Sequence, residues 1–119
     1  MKQPGPDHPI VISRSGKHVR VTFAGKTIAE TTRALSLKEA SYPPVFYIPR
    51  ADADMTALGR TTHHTHCPYK GDASYFTIST GGRTAENAVW SYEQPFPAVS
   101  EIKEHLAFYP NRVDAIEES

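Results

Sequence analysis

Hydrophobic and polar residues alternate with a period of two along most of this chain, and the runs are short. His18-Val19-Arg20-Val21-Thr22-Phe23 places β-branched and aromatic residues on one face and polar ones on the other, the pattern of a half-buried strand. Ala24-Gly25-Lys26 reads as a tight turn into Thr27-Ile28-Ala29-Glu30-Thr31-Thr32, which predicts a hairpin. Ala34 to Glu39 continues the alternation through Leu35 and Leu37, although its composition also suits a helical turn. Ser41-Tyr42-Pro43-Pro44 breaks what precedes it. Val45-Phe46-Tyr47-Ile48, flanked by prolines, predicts a strand at an edge or end of a sheet.

The pattern then changes. Ala51 to Gly59 combines helix formers, acids near its start and a closing glycine, and so predicts one short helix with Met55 and Leu58 on its buried side. Arg60-Thr61-Thr62 leads into a loop, His63 to Tyr75, that bears the single thiol. Alternation resumes over Ser74 to Ser79, Gly81-Gly82 supplies a turn, and Ala85 to Tyr92 predicts a strand with Val89 and Ser91 on one face and Ala88, Trp90 and Tyr92 on the other. Pro95 and Pro97 end it. Ala98 to His105 suits a turn or two of helix, and Leu106 to Tyr109 returns as a strand closed by Pro110, which Val113 to Ile116 extends. These elements predict a mainly β domain: an antiparallel, rolled or tent-like sheet with one or two short helices, in which α structure is minor.

Length and composition narrow the class. A chain of 119 residues is one domain and buries roughly two-thirds of its unfolded surface. Residues 10–116 are expected to form it, with 1–9 a flexible, proline-rich arm and 117–119 a frayed end. Thirteen basic residues balance thirteen acidic ones, so no overall field draws the chain to nucleic acid or an anionic bilayer. No apolar run is long enough for a membrane helix. One cysteine cannot form an internal disulfide and no leader-like segment opens the chain, which makes the cytoplasm the expected setting.

Candidate chemistry concentrates in His63 to Tyr75, which carries three imidazoles, the thiol of Cys67, Lys70, Gly71 and two phenols. Cys67 and His66 are the candidate catalytic groups, since a neighbouring cation activates a thiol, although adjacent residues of an extended segment point opposite ways. His64 and His66 share one face of an extended segment and are the pair placed to meet a metal ion. No second ligand pair accompanies them, so no metal is assigned, and Lys70-Gly71 lacks the rest of a nucleotide-binding loop. No cofactor is implied. Lys70 offers a point charge for a carboxylate or phosphate, and Gly71 allows close backbone approach to a ligand.

Three blocks resemble a known family: His66-Cys67-Pro68-Tyr69-Lys70-Gly71-Asp72-Ala73-Ser74-Tyr75, then Val89-Trp90-Ser91-Tyr92-Glu93-Gln94-Pro95, then Ala107-Phe108-Tyr109-Pro110. In this order they look like the bacterial and fungal family catalogued as domain of unknown function 427, and the likeness spans about Pro9 to Ile116. The resemblance implies a small mostly-β domain similar to β-tent proteins, whose relatives include zinc-binding domains and methionine sulfoxide reductases. It implies no activity. Such relatives hold zinc with two Cys-x-x-Cys pairs, whereas this chain has Cys67 alone.

The leading functional expectation is a pocket near the His-Cys-Pro-Tyr-Lys-Gly segment for a small polar or anionic molecule, formed by His66, Tyr69, Lys70, Gly71, Trp90 and Tyr92. Glu93 or Asp72 would add a carboxylate, and Arg60 or Arg112 an anion clamp. One alternative is an enzyme using Cys67 or His66 in redox or hydrolytic chemistry. Another is a protein-interaction module, including a homo-oligomer, that pairs through an exposed strand such as Val45 to Ile48.

Overall fold

The computed structural model describes residues 1–119 and is built from ten strands in three antiparallel sheets. One sheet joins β1 (Ile10–Arg14), β4 (Leu35–Glu39) and β5 (Val45–Tyr47) in the order β1-β4-β5. A second joins β2 (Val19–Phe23), β3 (Lys26–Thr31) and β10 (Ala115–Glu118) in the order β10-β2-β3. The third runs β6-β7-β8-β9, from β6 (Leu58–Cys67) and β7 (Gly71–Thr80) to β8 (Arg83–Ser91) and β9 (Ala107–Phe108). The mainly β expectation is met. The predicted hairpin is β2-β3, with Ala24 and Gly25 at positive φ in its turn.

Over β7, β8 and β9 the four-stranded sheet is covered on both faces, and its two faces feed two different cores. Phe76, Val89 and Phe108 lie opposite one another in register, and they pack with Val19, Val21, Phe23 and Ile28 of the β10-β2-β3 sheet. One residue along, Tyr75, Trp90 and Ala107 form the next register row and point the other way, towards Leu37 and Tyr47 of the β1-β4-β5 sheet. Alternation therefore sorts the side chains of one sheet between two cores. Of the expected face of Ala88, Trp90 and Tyr92, opposite Val89 and Ser91, Trp90 and Tyr92 meet the second core. Ala88 instead joins Val89 in the first, because the β7-β8 register shifts beside Asn87, which takes φ +49.

Four further expectations are corrected. The helix over Ala51 to Gly59 is two single 3₁₀ turns, Arg50–Asp52 and Met55–Ala57. Ala53 between them is extended and bridges to Ala29, Asp54 caps Thr56, and Leu58 already belongs to β6. Tertiary pairing outweighs the helix propensity of these residues. The segment Ala98 to His105 likewise holds only a 3₁₀ stretch, Pro97–Ile102, kinked at Val99. The loop over His63 to Tyr75 is a long hairpin: β6 runs to Cys67, β7 starts at Gly71, and only Pro68, Tyr69 and Lys70 turn between them. Val113 to Ile116 does not extend the strand at Leu106 to Tyr109. It feeds β10, which pairs with β2.

Both terminal segments make specific contacts. Ser119 exchanges backbone hydrogen bonds with His18, and Lys2 N donates to Pro68 O at 2.7 Å. No helix is long and apolar enough to cross a membrane.

Candidate functional site

Lys70 stands at the turn between β6 and β7 and is buried, with only 8% of its surface exposed. Its carbonyl accepts from Phe96 N at 3.0 Å, and Gly71 beside it takes φ +112 with the backbone of Gln94 to Phe96 packed against it. A side chain at Gly71 would strain that φ, while its Cβ would make only ordinary contact with this backbone. Gly71 thus positions Lys70 from behind, and does so by approaching its own chain.

A buried ammonium needs a partner, and Lys70 finds it in Glu39, 31 positions earlier at the end of β4. The other carboxylate oxygen of Glu39 lies 2.7 Å from His8 Nε2, so both oxygens are engaged. Burial acts to raise the Glu39 pKa, but the hydrogen bonds from Lys70 and His8 outweigh it and hold the carboxyl below its ordinary range. His8 in turn stacks face to face on Tyr69, ring centroids 3.9 Å apart. Tyr69 therefore faces the N-terminal segment, with Lys2 also over its ring.

Lys70 and Glu39 form the polar end of a hollow of about 210 Å³. Its walls are aromatic: Tyr47 from β5, Tyr75 from β7, Trp90 from β8, and Tyr92 and Tyr109 beyond the ends of β8 and β9. Trp90 Nε1 donates to the Tyr47 hydroxyl at 3.3 Å, which leaves the Tyr47 proton free to donate. Tyr75 is anchored by Thr65 at 2.9 Å, and the Tyr75 and Tyr109 oxygens are 3.4 Å apart. Lys70 Nζ also lies 5.9 Å over the Tyr92 ring. Burial pushes the Tyr47 and Tyr92 hydroxyls well above the ordinary phenol range. Tyr109 is pushed up to about 12, by burial and by its hydrogen bond with Tyr75. Tyr47, Tyr92 and Tyr109 are thus neutral donors at physiological pH.

The hollow opens to a shallower depression of about 560 Å³ between Tyr42, Pro43, Pro44 and Pro110. Lys38 Nζ donates to the carbonyls of Ala40 and Tyr42 and so secures this rim from below.

Of the residues singled out in the sequence, Lys70, Trp90 and Tyr92 share this hollow, and His66, Tyr69 and Gly71 are not on its wall. His66 projects from the exposed side of β6, 2.6 Å from Asp72 across the strand pair and edge-on to Phe96. Cys67, next in the strand, faces inward against the second core. The Cys67 and His66 side chains are therefore on opposite faces. His64 is exposed, and no three His, Cys, Asp or Glu side chains come together as a metal-holding group. Asp72 is spent on His66, and Glu93 on Arg60 and Arg50, away from the hollow. Arg112 lines a separate polar depression with His63 and Asn87.

The residues that sequence reasoning missed are Glu39, His8 and Tyr47. A glutamate closing an alternating strand gives no local sign that a buried lysine will meet it, and only the β4 register supplies one.

The fold is a three-sheet, mainly β domain with one aromatic hollow closed by a buried lysine-glutamate pair. The sequence matches, over residues 11–119, the family described as a domain of unknown function (DUF427), and the protein belongs to that family. No curated protein matches the chain.

Proposed function

We propose that this domain binds a small polar or anionic molecule in the hollow bounded by Lys70, Trp90 and Tyr92. The observation that carries the reading is the convergence, from separate segments of the chain, of a buried cation and five phenols around space that their own packing does not fill. A lysine buried only to hold the fold would be better replaced by an apolar residue, because desolvating an ion pair offsets most of its attraction. Lys70 has three N–H donors and Glu39 takes one, so two remain for a ligand oxygen. Aromatic walls with a few directional polar groups are the usual make-up of a small-molecule site. The inner hollow suits a fragment-sized group, and the outer depression has room for the rest.

Trp90 is the only tryptophan, so its fluorescence reports on the hollow and on the depressions that adjoin it. Benzoate and phenyl phosphate are expected to change its emission saturably, with inorganic phosphate weaker because it leaves the aromatic walls uncovered. Lys70→Met should abolish the response, and Tyr92→Phe, which removes one hydroxyl, should weaken it. Emission that stays flat with all three probes would overturn the proposal, as would equal binding by folded Lys70→Met.

A further inference from the structure

We infer that the ligand is an amphiphile, a carboxylate carrying an unbranched alkyl chain, and that the site extends beyond the hollow at Lys70. This inference rests on the reading of that hollow as a binding site, and it adds the class of molecule bound.

Three depressions adjoin one another along shared walls, and we read them as one groove. Val45 and Trp90 line all three. Pro44 and Pro110 carry the outer depression into a further hollow of about 280 Å³, which is lined by Phe46, Ile48, Phe108 and Ile116. No charged residue lines this far hollow. Water there finds few hydrogen-bond partners, so displacing it with hydrocarbon is favourable.

The groove is therefore graded. Its charged end holds Lys70 and Glu39, the indole of Trp90 stands in the middle, and its far end is hydrocarbon. Lys70 is the only cation lining any of the three depressions, and the only anion, Glu39, already has both oxygens engaged. Charge complementarity then favours an acid at the Lys70 end and an alkyl chain crossing Trp90 towards Phe46 and Ile116. The prolines of the rim have fixed φ, so the crossing is held open with little conformational entropy to lose on binding.

The test is a chain-length series on the full chain, reading Trp90 emission with butanoate, hexanoate, octanoate and decanoate below their micellar concentrations, alongside benzoate. The Kd should fall about three- to fourfold per added methylene until the far hollow is filled. Octanol, which lacks the charge, should bind about tenfold more weakly than octanoate. Ile116→Asn should flatten the series and lower octanoate affinity more than benzoate affinity. Phe46→Ser on the edge strand β5 serves the same purpose if the first variant is unstable. Benzoate binding together with a flat alkanoate series overturns the amphiphile and leaves the Lys70 site standing. No response to any probe, benzoate included, overturns both.

Discussion

The outer face of β6 and the hollow beneath β4 and β8 make opposite use of similar side chains. His64 and His66 lie two positions apart on β6, yet both point to solvent, and His66 meets only Asp72 and the edge of Phe96. Glu39, Lys70 and Trp90 are separated by 31 and 20 positions, yet they share one hollow. Density along the chain and convergence in space are thus different properties. A strand disperses its neighbours to two faces, whereas a turn and a strand end from separate sheets can be brought together. Burial then decides what each group is worth, because a charge in the hollow is largely withdrawn from water and one on β6 is not.

The contrast can be broken at its strongest point. Lys70→Met leaves Glu39 enclosed with half of its partners gone, and should cost about 2–3 kcal/mol in denaturant unfolding, somewhat less than for a pair sealed from solvent. Adding Glu39→Gln should recover most of that loss, because the uncompensated charge is removed with its partner. If the single variant is as stable as wild type, the pair is solvated and the hollow is not the low-dielectric site described.

Glu93 occupies the middle ground. It accepts from Arg60 through both oxygens, at 2.7 and 2.6 Å, and from Arg50 at 3.3 Å, while both guanidiniums stack on Phe76. The hydrogen bond from Arg60 is the largest cause of its lowered pKa, burial opposes it, and the result is about 2 against an ordinary 4.5. A folded-state pKa below the ordinary value stabilises the fold above the ordinary value, and that stabilisation is lost as pH falls through the folded one. Glu93→Gln should therefore cost about 1 kcal/mol at neutral pH, at the upper end for a partly exposed network. It should also flatten the decline of stability between about pH 4.5 and about 2. Urea midpoints measured across that range check both outcomes.

At the weak end, His64→Ala with His66→Ala should change stability by no more than about 0.5 kcal/mol, since both rings are exposed. A larger loss would show that the outer face of β6 carries structure that its contacts do not reveal.

Much of the fold is legible before any coordinates, because period-two patterning and turn residues act locally. Val19, Val21 and Phe23 face one core as their alternation requires, and Trp90 and Tyr92 share a face opposite Val89. The missed helix at Ala51 to Gly59 shows the limit. Its composition is helical, but the bridge from Ala53 to Ala29 and the entry of Leu58 into β6 are made by distant partners. The site divides in the same way. Lys70 is legible as an unusual lysine beside a glycine in a tight turn, and Trp90 as part of an aromatic face. Glu39 is not, because its role depends on how three sheets meet, and no neighbour in sequence records that.

The most direct test of the central claim, that the hollow and not the histidine-bearing strand is the binding site, is a ¹H–¹⁵N NMR titration of the intact chain with benzoate. The single indole N–H, which donates to Tyr47 at the wall of the hollow, should move progressively and saturably, while the backbone amides of His64 and His66 stay in place. Movement of the β6 amides with an unperturbed Trp90 indole would contradict the account.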